Sequence, residues 1–140
     1  KAYSQNSETN HYLKRLNVKN IQSIGNMKFI EDDNTKSDKS DKKLFSQFKK
    51  YKTFIAASTH ETEELFAAKT HILLKKKNKN IITIIIPRHV NRVNQIISQI
   101  NELGLNVISR SSNKRKLKNI DIFVVDTFGE SKKFYKFAHS

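Results

Sequence analysis

Cysteine is absent from these 140 residues, which removes disulfides and thiolate metal sites from consideration. With three glycines and one proline, the chain has no G-x-x-x-x-G-K-S loop and no G-x-G-x-x-G turn, so a glycine-rich phosphate cradle is excluded. Long apolar runs are missing too: the isoleucine-rich stretch from Ile81 to Ile86 falls far short of the ~20 residues that cross a bilayer. The opening residues show no apolar segment behind a basic start, so no export signal is expected in this chain, although an anchor could lie outside it. Acidic residues are scarce, 13 against 27 lysines and arginines, for a formal charge of +14.

That charge points to an anionic partner, whether nucleic acid, an acidic membrane surface or a phosphorylated substrate. An ordinary alternative is compositional bias, since Lys, Asn and Ile are all abundant and solvated lysines need no partner. The runs Lys75–Lys79 and Lys114–Lys118 are not interleaved with aromatics, which single-strand binders use for stacking, and nucleic acid is not the favoured ligand.

Ile21–Gly25 reads as a short strand closed by a glycine. Glu31–Lys43 contains no apolar residue and is expected to be a solvated linker. Thr53–Ala57 is β-prone and leads into Ser58-Thr59-His60-Glu61, where Ser58 and Glu61 could form a capping box. The helix that follows would bury Leu65, Ala68, Ile72 and Leu73, with acids in its first turn and Lys75–Lys77 in its last. Ile81–Ile86 is β-branched almost throughout and stopped by Pro87, the pattern of a strand covered on both faces. Val93, Ile96, Ile97, Ile100 and Leu103 mark a helix stopped by Gly104. Leu105–Ser109 and Ile120–Val125 are further strands, and a second capping box at Thr127 and Glu130 opens a helix carrying Phe134, Tyr135 and Phe137. Alternating strands and helices with short turns predict an α/β fold: a Rossmann-like parallel sheet with helices on both faces.

Ligands of such sheets sit beyond the carboxyl ends of the strands. Ser58–Glu61, Pro87–His89 and Asp126–Glu130 occupy that edge. Arg88 is the best phosphate ligand, because a guanidinium forks onto two oxygens, though a plain surface arginine is the competing explanation. Gly129 opens a helix whose free amides could cradle an anion, or is simply a tight turn. Glu130 and Asp126 could accept from sugar hydroxyls or serve only as caps. His60 and Glu61 belong to a turn with its own structural explanation, and three glutamates make that helix start a poor anion site. His60-Glu61-Thr62-Glu63-Glu64 lacks the second histidine of a zinc-protease helix, and His11, His71, His89 and His139 have no metal-ligand spacing, so no metal is expected. His71, on a helix, reads as packed or solvated.

These turns also match a family. Gly25-Asn26-Met27-Lys28-Phe29, Ala56-Ala57-Ser58-Thr59-His60-Glu61, Pro87-Arg88-His89 with Arg92, Arg110-Ser111, and Asp126-Thr127 with Gly129-Glu130 resemble, in order, the signatures of 3-deoxy-D-manno-octulosonic acid (Kdo) transferases. Gln5-Asn6-Ser7-Glu8 resembles the end of their first domain, and Phe134-Tyr135 and Ala138 fit a later helix. Departures include Thr62 for a glycine, Val90 for a proline, Asn91 for a glutamate, Phe128 for a methionine and Ser131 for a leucine. The resemblance implies a fragment of a two-domain GT-B glycosyltransferase. Residues 1–30 would end the first domain and connect it, 31–43 would be the polar linker, and 44–140 part of the nucleotide-sugar-binding domain. It implies transfer of Kdo from CMP-Kdo to a lipid A precursor in lipopolysaccharide core assembly, at the cytoplasmic face of the bacterial inner membrane, with the anionic membrane surface as a further partner. Arg88, Pro87, Phe128, Gly129 and Glu130 would bind the donor, with Ser58, His60, Glu61, His89 and Asp126 in support. The catalytic base would belong to the first domain, outside this chain, and no cofactor is implied. The competing expectation, resting on charge alone, is a noncatalytic module for nucleic acid or anionic membrane.

Overall fold

The computed structural model describes residues 1–25, 39–112 and 116–139. The chain divides into two compact units, residues 1–37 and 38–140. In the first, β1 (Ala2–Ser4) pairs in parallel with β2 (Ile21–Ser23), and α1 (Ser7–Arg15) makes the crossover. Asn6 caps α1 by accepting from the Thr9 amide at 2.7 Å, so the Asn6-Ser7-Glu8 segment is a helix start. The Met27 part of the family signature lies outside the described residues.

The second unit holds α2 (Lys39–Phe48), β3 (Lys52–Thr59), α3 (Glu63–Lys77), β4 (Ile81–Pro87), α4 (Val93–Glu102), β5 (Val107–Ser109), β6 (Ile122–Val124) and α5 (Ser131–Tyr135). Its four strands lie in the order β3-β4-β6-β5, every neighbouring pair parallel. The strand period of two explains the layering, because alternate residues of β4 face opposite sides. Ile82, Ile84 and Ile86 pack with Leu44 and Phe48 of α2 and with Phe134 and Phe137 beyond the last crossover. Ile85 packs with Ala67 and Ala68 of α3 and with Val93, Ile96 and Ile100 of α4. All seven residues of β4 are buried, as a strand covered on both faces requires.

Aromatics are concentrated on the α2/α5 side. Phe48 meets Phe123 edge-to-face at 5.1 Å and Phe134 at 6.0 Å, and Phe45 meets Phe134 at 5.6 Å. Helix α2 was hidden in the sequence because its first turn lies inside the polar stretch assigned to a linker. The helix starts at Lys39, and Leu44 and Phe48, one turn apart, supply the buried stripe that the stretch itself lacks. The remainder of that stretch, 31–38, lies outside the described residues.

Helix α3 also differs from expectation. It buries Glu64, Ala67, Ala68 and His71, whereas Leu73 is exposed and Leu65 and Ile72 are only half-buried. Small residues let this helix lie close to the sheet, and its two buried polar residues, Glu64 and His71, each meet polar side chains. His71 Nδ1 is 2.9 Å from the Thr83 hydroxyl and Nε2 is 3.4 Å from Asp121. Burial lowers its pKa against the opposing pull of Asp121. His71 is thus packed, not solvated.

Truncation of Phe48 should cost about 3–5 kcal/mol of unfolding free energy, as for large buried aromatics generally. Truncation of exposed Phe66 should cost less than ~0.5 kcal/mol. Chemical denaturation of Phe48→Ala and Phe66→Ala checks this, and equal losses would contradict the layering.

Candidate functional site

Because the four strands are parallel, the turns after β3, β4, β5 and β6 all leave the same edge of the sheet. The segments Ser58–Glu61, Pro87–His89, Arg110–Ser111 and Asp126–Glu130 therefore share that edge. Arg88 and Gly129 follow β4 and β6, which are hydrogen-bonded neighbours.

The β3 end is irregular. Its pairing with β4 shifts between Ala57 and Thr59, leaving Ser58 as the extra residue with φ +56°. A bulge of this kind re-aims a side chain, and a left-handed serine is strained without glycine's freedom. Thr59 is paired with Pro87 and accepts from the Arg88 amide at 2.9 Å, which fixes the two turns against each other. The His60 and His89 rings meet edge-to-face with centroids 6.0 Å apart. Ser58, His60, Glu61, Arg88 and His89 are exposed, and Pro87 is buried as the last residue of β4.

The expected capping box on Ser58 and Glu61 is displaced by the bulge. The His60 amide donates instead to Glu63 Oε2 at 2.8 Å, and Thr62, left-handed at φ +76°, precedes α3 without a side-chain cap. Glu64 is buried and accepts from the Thr59 hydroxyl at 3.1 Å and from Arg92 at 3.3 Å. Arg92 keeps one buried guanidinium nitrogen, Nη2, without a hydrogen-bond partner.

On the β6 side the acids are occupied internally. Asp126 accepts from the Ser111 amide at 2.8 Å and from the Ser111 hydroxyl, so it ties the β5 turn to the β6 turn. Glu130 receives Arg110 Nε at 3.0 Å, Arg110 Nη2 at 3.2 Å, Lys133 at 2.9 Å and the Thr127 hydroxyl. Arg110 also reaches Asp41 of α2 at 2.5 Å. Burial raises the Glu130 pKa, and the hydrogen bonds from Arg110, Thr127 and Lys133 more than offset this, bringing it to about 2. In this structure Glu130 ties the β6 turn to Arg110 and Lys133, both of which also reach Asp41 of α2, and its carboxylate has little capacity left for a sugar hydroxyl. The second capping box is thus a side-chain contact between Thr127 and Glu130. Gly129, at φ +72°, stands two residues ahead of the short α5 instead of opening it, and Phe128 beside it is 84% exposed.

Three arginines thus share the edge with different commitments. Arg92 is bound to Glu64 and Arg110 to Asp41 and Glu130. The Arg88 side chain has no hydrogen-bond or ion-pair partner among the described residues. Sequence reasoning missed Glu64 and Asp41, since an acid in a helix's first turn or in a polar run carries no sign of burial. No group of three His, Asp or Glu among the described residues is placed to hold a metal ion. A cavity of about 280 Å³ does exist elsewhere, lined by Tyr51, Lys75, Lys79, Lys118 and Asp121 among others. It lies at the opposite edge, where Ile81 and Asp121 lead into β4 and β6, and its Asp121 is already held by Lys75 and the Asn106 amide.

No protein-family model matches the chain. Curated relatives do. The 3-deoxy-D-manno-octulosonic acid transferase of Rickettsia bellii is 28% identical over 123 residues, covering 88% of this chain and 29% of the relative. The probable mitochondrial 3-deoxy-D-manno-octulosonic acid transferase of Arabidopsis thaliana is 34% identical over 88 residues, 62% of this chain and 20% of the relative. The chain is related to the Kdo transferases. It spans 26–29% of the length of the rickettsial Kdo transferases it matches. Among solved structures, the C-terminal CMP-Kdo binding domain of WaaA from Acinetobacter baumannii superposes with a TM-score of 0.61 at 20% identity, over 69% of this chain and 53% of that one. That likeness shows the fold: a Rossmann-like parallel sheet flanked by helices, as the alternation of elements implied.

Glu130→Gln should destabilise the protein at pH 7 and reduce its acid sensitivity. The folded-state pKa of Glu130 is depressed, so its contribution is present above the unfolded value near 4.5 and is lost as pH falls toward about 2. The contribution is on the order of 1–3 kcal/mol. Denaturation midpoints measured from pH 6 to pH 2 should converge for wild type and variant at the acid end, and curves a constant distance apart would refute the assignment.

Proposed function

We propose that this chain is part of the nucleotide-sugar-binding half of a Kdo-transferring GT-B glycosyltransferase. The donor is CMP-Kdo, the acceptor a lipid A precursor in lipopolysaccharide core assembly, and the setting the cytoplasmic face of the bacterial inner membrane. Support comes from the named relatives and from the WaaA domain, which is a CMP-Kdo binding domain.

One observation carries the reading: Arg88 is the arginine left without a side-chain partner among the described residues, at an edge where the neighbouring carboxylates other than Glu61 already accept internal hydrogen bonds. Glu63 is held by the His60 amide, Glu64 by Arg92 and Thr59, Asp126 by Ser111, and Glu130 by Arg110. Arg92 neutralises Glu64, and Arg110 and Lys133 neutralise Glu130, while Glu63 and Asp126 are held by neutral donors. What remains outward is the Arg88 guanidinium, flanked by the paired His60 and His89 imidazoles and by Glu61. In the reaction, the departing cytidine phosphate needs its charge met by fixed donors, and Arg88 would supply one of them. His60 and His89 offer ring nitrogens to the same phosphate or to the ribose. Prearranged Gly129 and exposed Phe128 form the facing turn on β6. A base to activate the acceptor hydroxyl must come from elsewhere in the enzyme.

The isolated chain should show no turnover of CMP-Kdo with lipid A precursor, and sustained product formation from it alone would overturn this assignment of roles. It should bind CMP weakly by calorimetry, and Arg88→Ala should weaken that binding by about tenfold, the scale of one lost charge-assisted hydrogen-bond pair. Arg92→Ala, by contrast, should act mainly on stability. An Arg88→Ala protein that binds CMP as wild type does would remove the central residue of the proposal.

A further inference from the structure

Helix α3 carries its apolar residues the wrong way round for a helix that only packs on a sheet. Its buried side presents Glu64, Ala67, Ala68 and His71. Its outer side presents Phe66 at 74% exposure and Leu73 at 61%. An amphipathic helix normally turns its large apolar side chains inward, so the reversal calls for something that covers the outside. Phe66 and Leu73 are seven residues apart, two turns, and so stand in one row on the face opposite the buried one. Lys77 continues that row, and Lys69 and Lys76 flank it; all three are exposed. The acid nearest this face, Glu63, has its carboxylate engaged by the His60 amide at 2.8 Å.

We propose that this outer face of α3 is a membrane-surface contact. Phe66 and Leu73 enter the headgroup region of an anionic bilayer, and Lys69, Lys76 and Lys77 pair with its phosphates. Large apolar side chains set among lysines, on a helix of 15 residues, are the ingredients of interfacial binding. Lysine stems lie along the apolar region while their ammonium groups reach the phosphates, and each lysine near an acidic surface adds on the order of 1 kcal/mol of attraction. Among the described residues no helix is long and apolar enough to cross a membrane, so a lipid contact made here is peripheral. A protein partner is disfavoured, because lysine is depleted in the centres of protein interfaces and here it separates the apolar residues. RNA is disfavoured too, because a convex helix with one aromatic provides no row of stacking platforms. The inference names the surface that would meet the membrane in the function proposed above. It needs neither donor nor acceptor, so its failure would leave the CMP titration untouched.

The chain has no tryptophan, so a single introduced indole reports on its own position. The test uses Phe66→Trp in the full 140-residue chain, with vesicles of phosphatidylglycerol and phosphatidylcholine, and Phe128→Trp at the carboxyl edge as the comparison. The emission of Phe66→Trp should shift to the blue on anionic vesicles and not on pure phosphatidylcholine, while Phe128→Trp stays unshifted. In flotation, Phe66→Ser/Leu73→Ser should lower the partition coefficient about tenfold, and Lys76→Glu/Lys77→Glu by a similar factor. Circular dichroism should show the folds unchanged. An unshifted Phe66→Trp, or equal flotation of Phe66→Ser/Leu73→Ser and wild type, would overturn the proposal and leave only general charge attraction. So would a dimer abolished by Phe66→Ser/Leu73→Ser in a chain that does not float, which would assign the face to a second copy.

Discussion

Parallel pairing of β4 with both β3 and β6 is the constraint on which the rest depends. It sends every strand's carboxyl end to one edge, so Arg88 and Gly129, far apart in sequence, come to adjacent turns there without a dedicated loop. It also requires cover on both faces, since β4 is buried along its full length. The two helical layers meet that requirement differently. On one side, α2 and α5 fill space with phenylalanines; on the other, α3 and α4 approach through alanine, valine and isoleucine.

Charge at the shared edge is settled by the same crossovers. Arg110, at the end of β5, bridges Asp41 on α2 and Glu130 after β6, so one guanidinium joins three segments. A network of this kind is strongly destabilised when one member is removed, because the others are left buried and unpaired. Glu64 and Arg92 make the matching tie on the β3 side. These ties hold the turns still and neutralise Glu64 and Glu130, while Arg88 stays exposed. Arg92 and Arg110 are therefore committed to internal ties, whereas the Arg88 side chain has no partner among the described residues.

Much of this was legible in the sequence. The isoleucine run of β4, the 3.6-residue spacing of α4 and its Gly104 stop read directly as elements, because their side chains are buried in a regular period. That the strand-end turns share one edge was legible too, because a parallel sheet sends every carboxyl end the same way. Helix α2 was not, since its polar first turn looks like linker and its stripe is short. The inner face of α3 was misjudged because propensity and spacing favoured its leucines, whereas close approach to the sheet selected its alanines. Roles within the site were least legible. Glu130 looks like a ligand group in sequence, and only the position of Arg110, twenty residues earlier, shows it to be spoken for.

The account's central claim is that the nucleotide meets the edge where Arg88 stands. Amide chemical shifts followed during CMP titration of the labelled chain test it most directly. Perturbations should gather at His60, Glu61, Arg88, His89, Ser111, Phe128 and Gly129. Shifts centred instead on Lys75, Lys79, Asn119 and Asp121, around the cavity at the opposite edge, would contradict it.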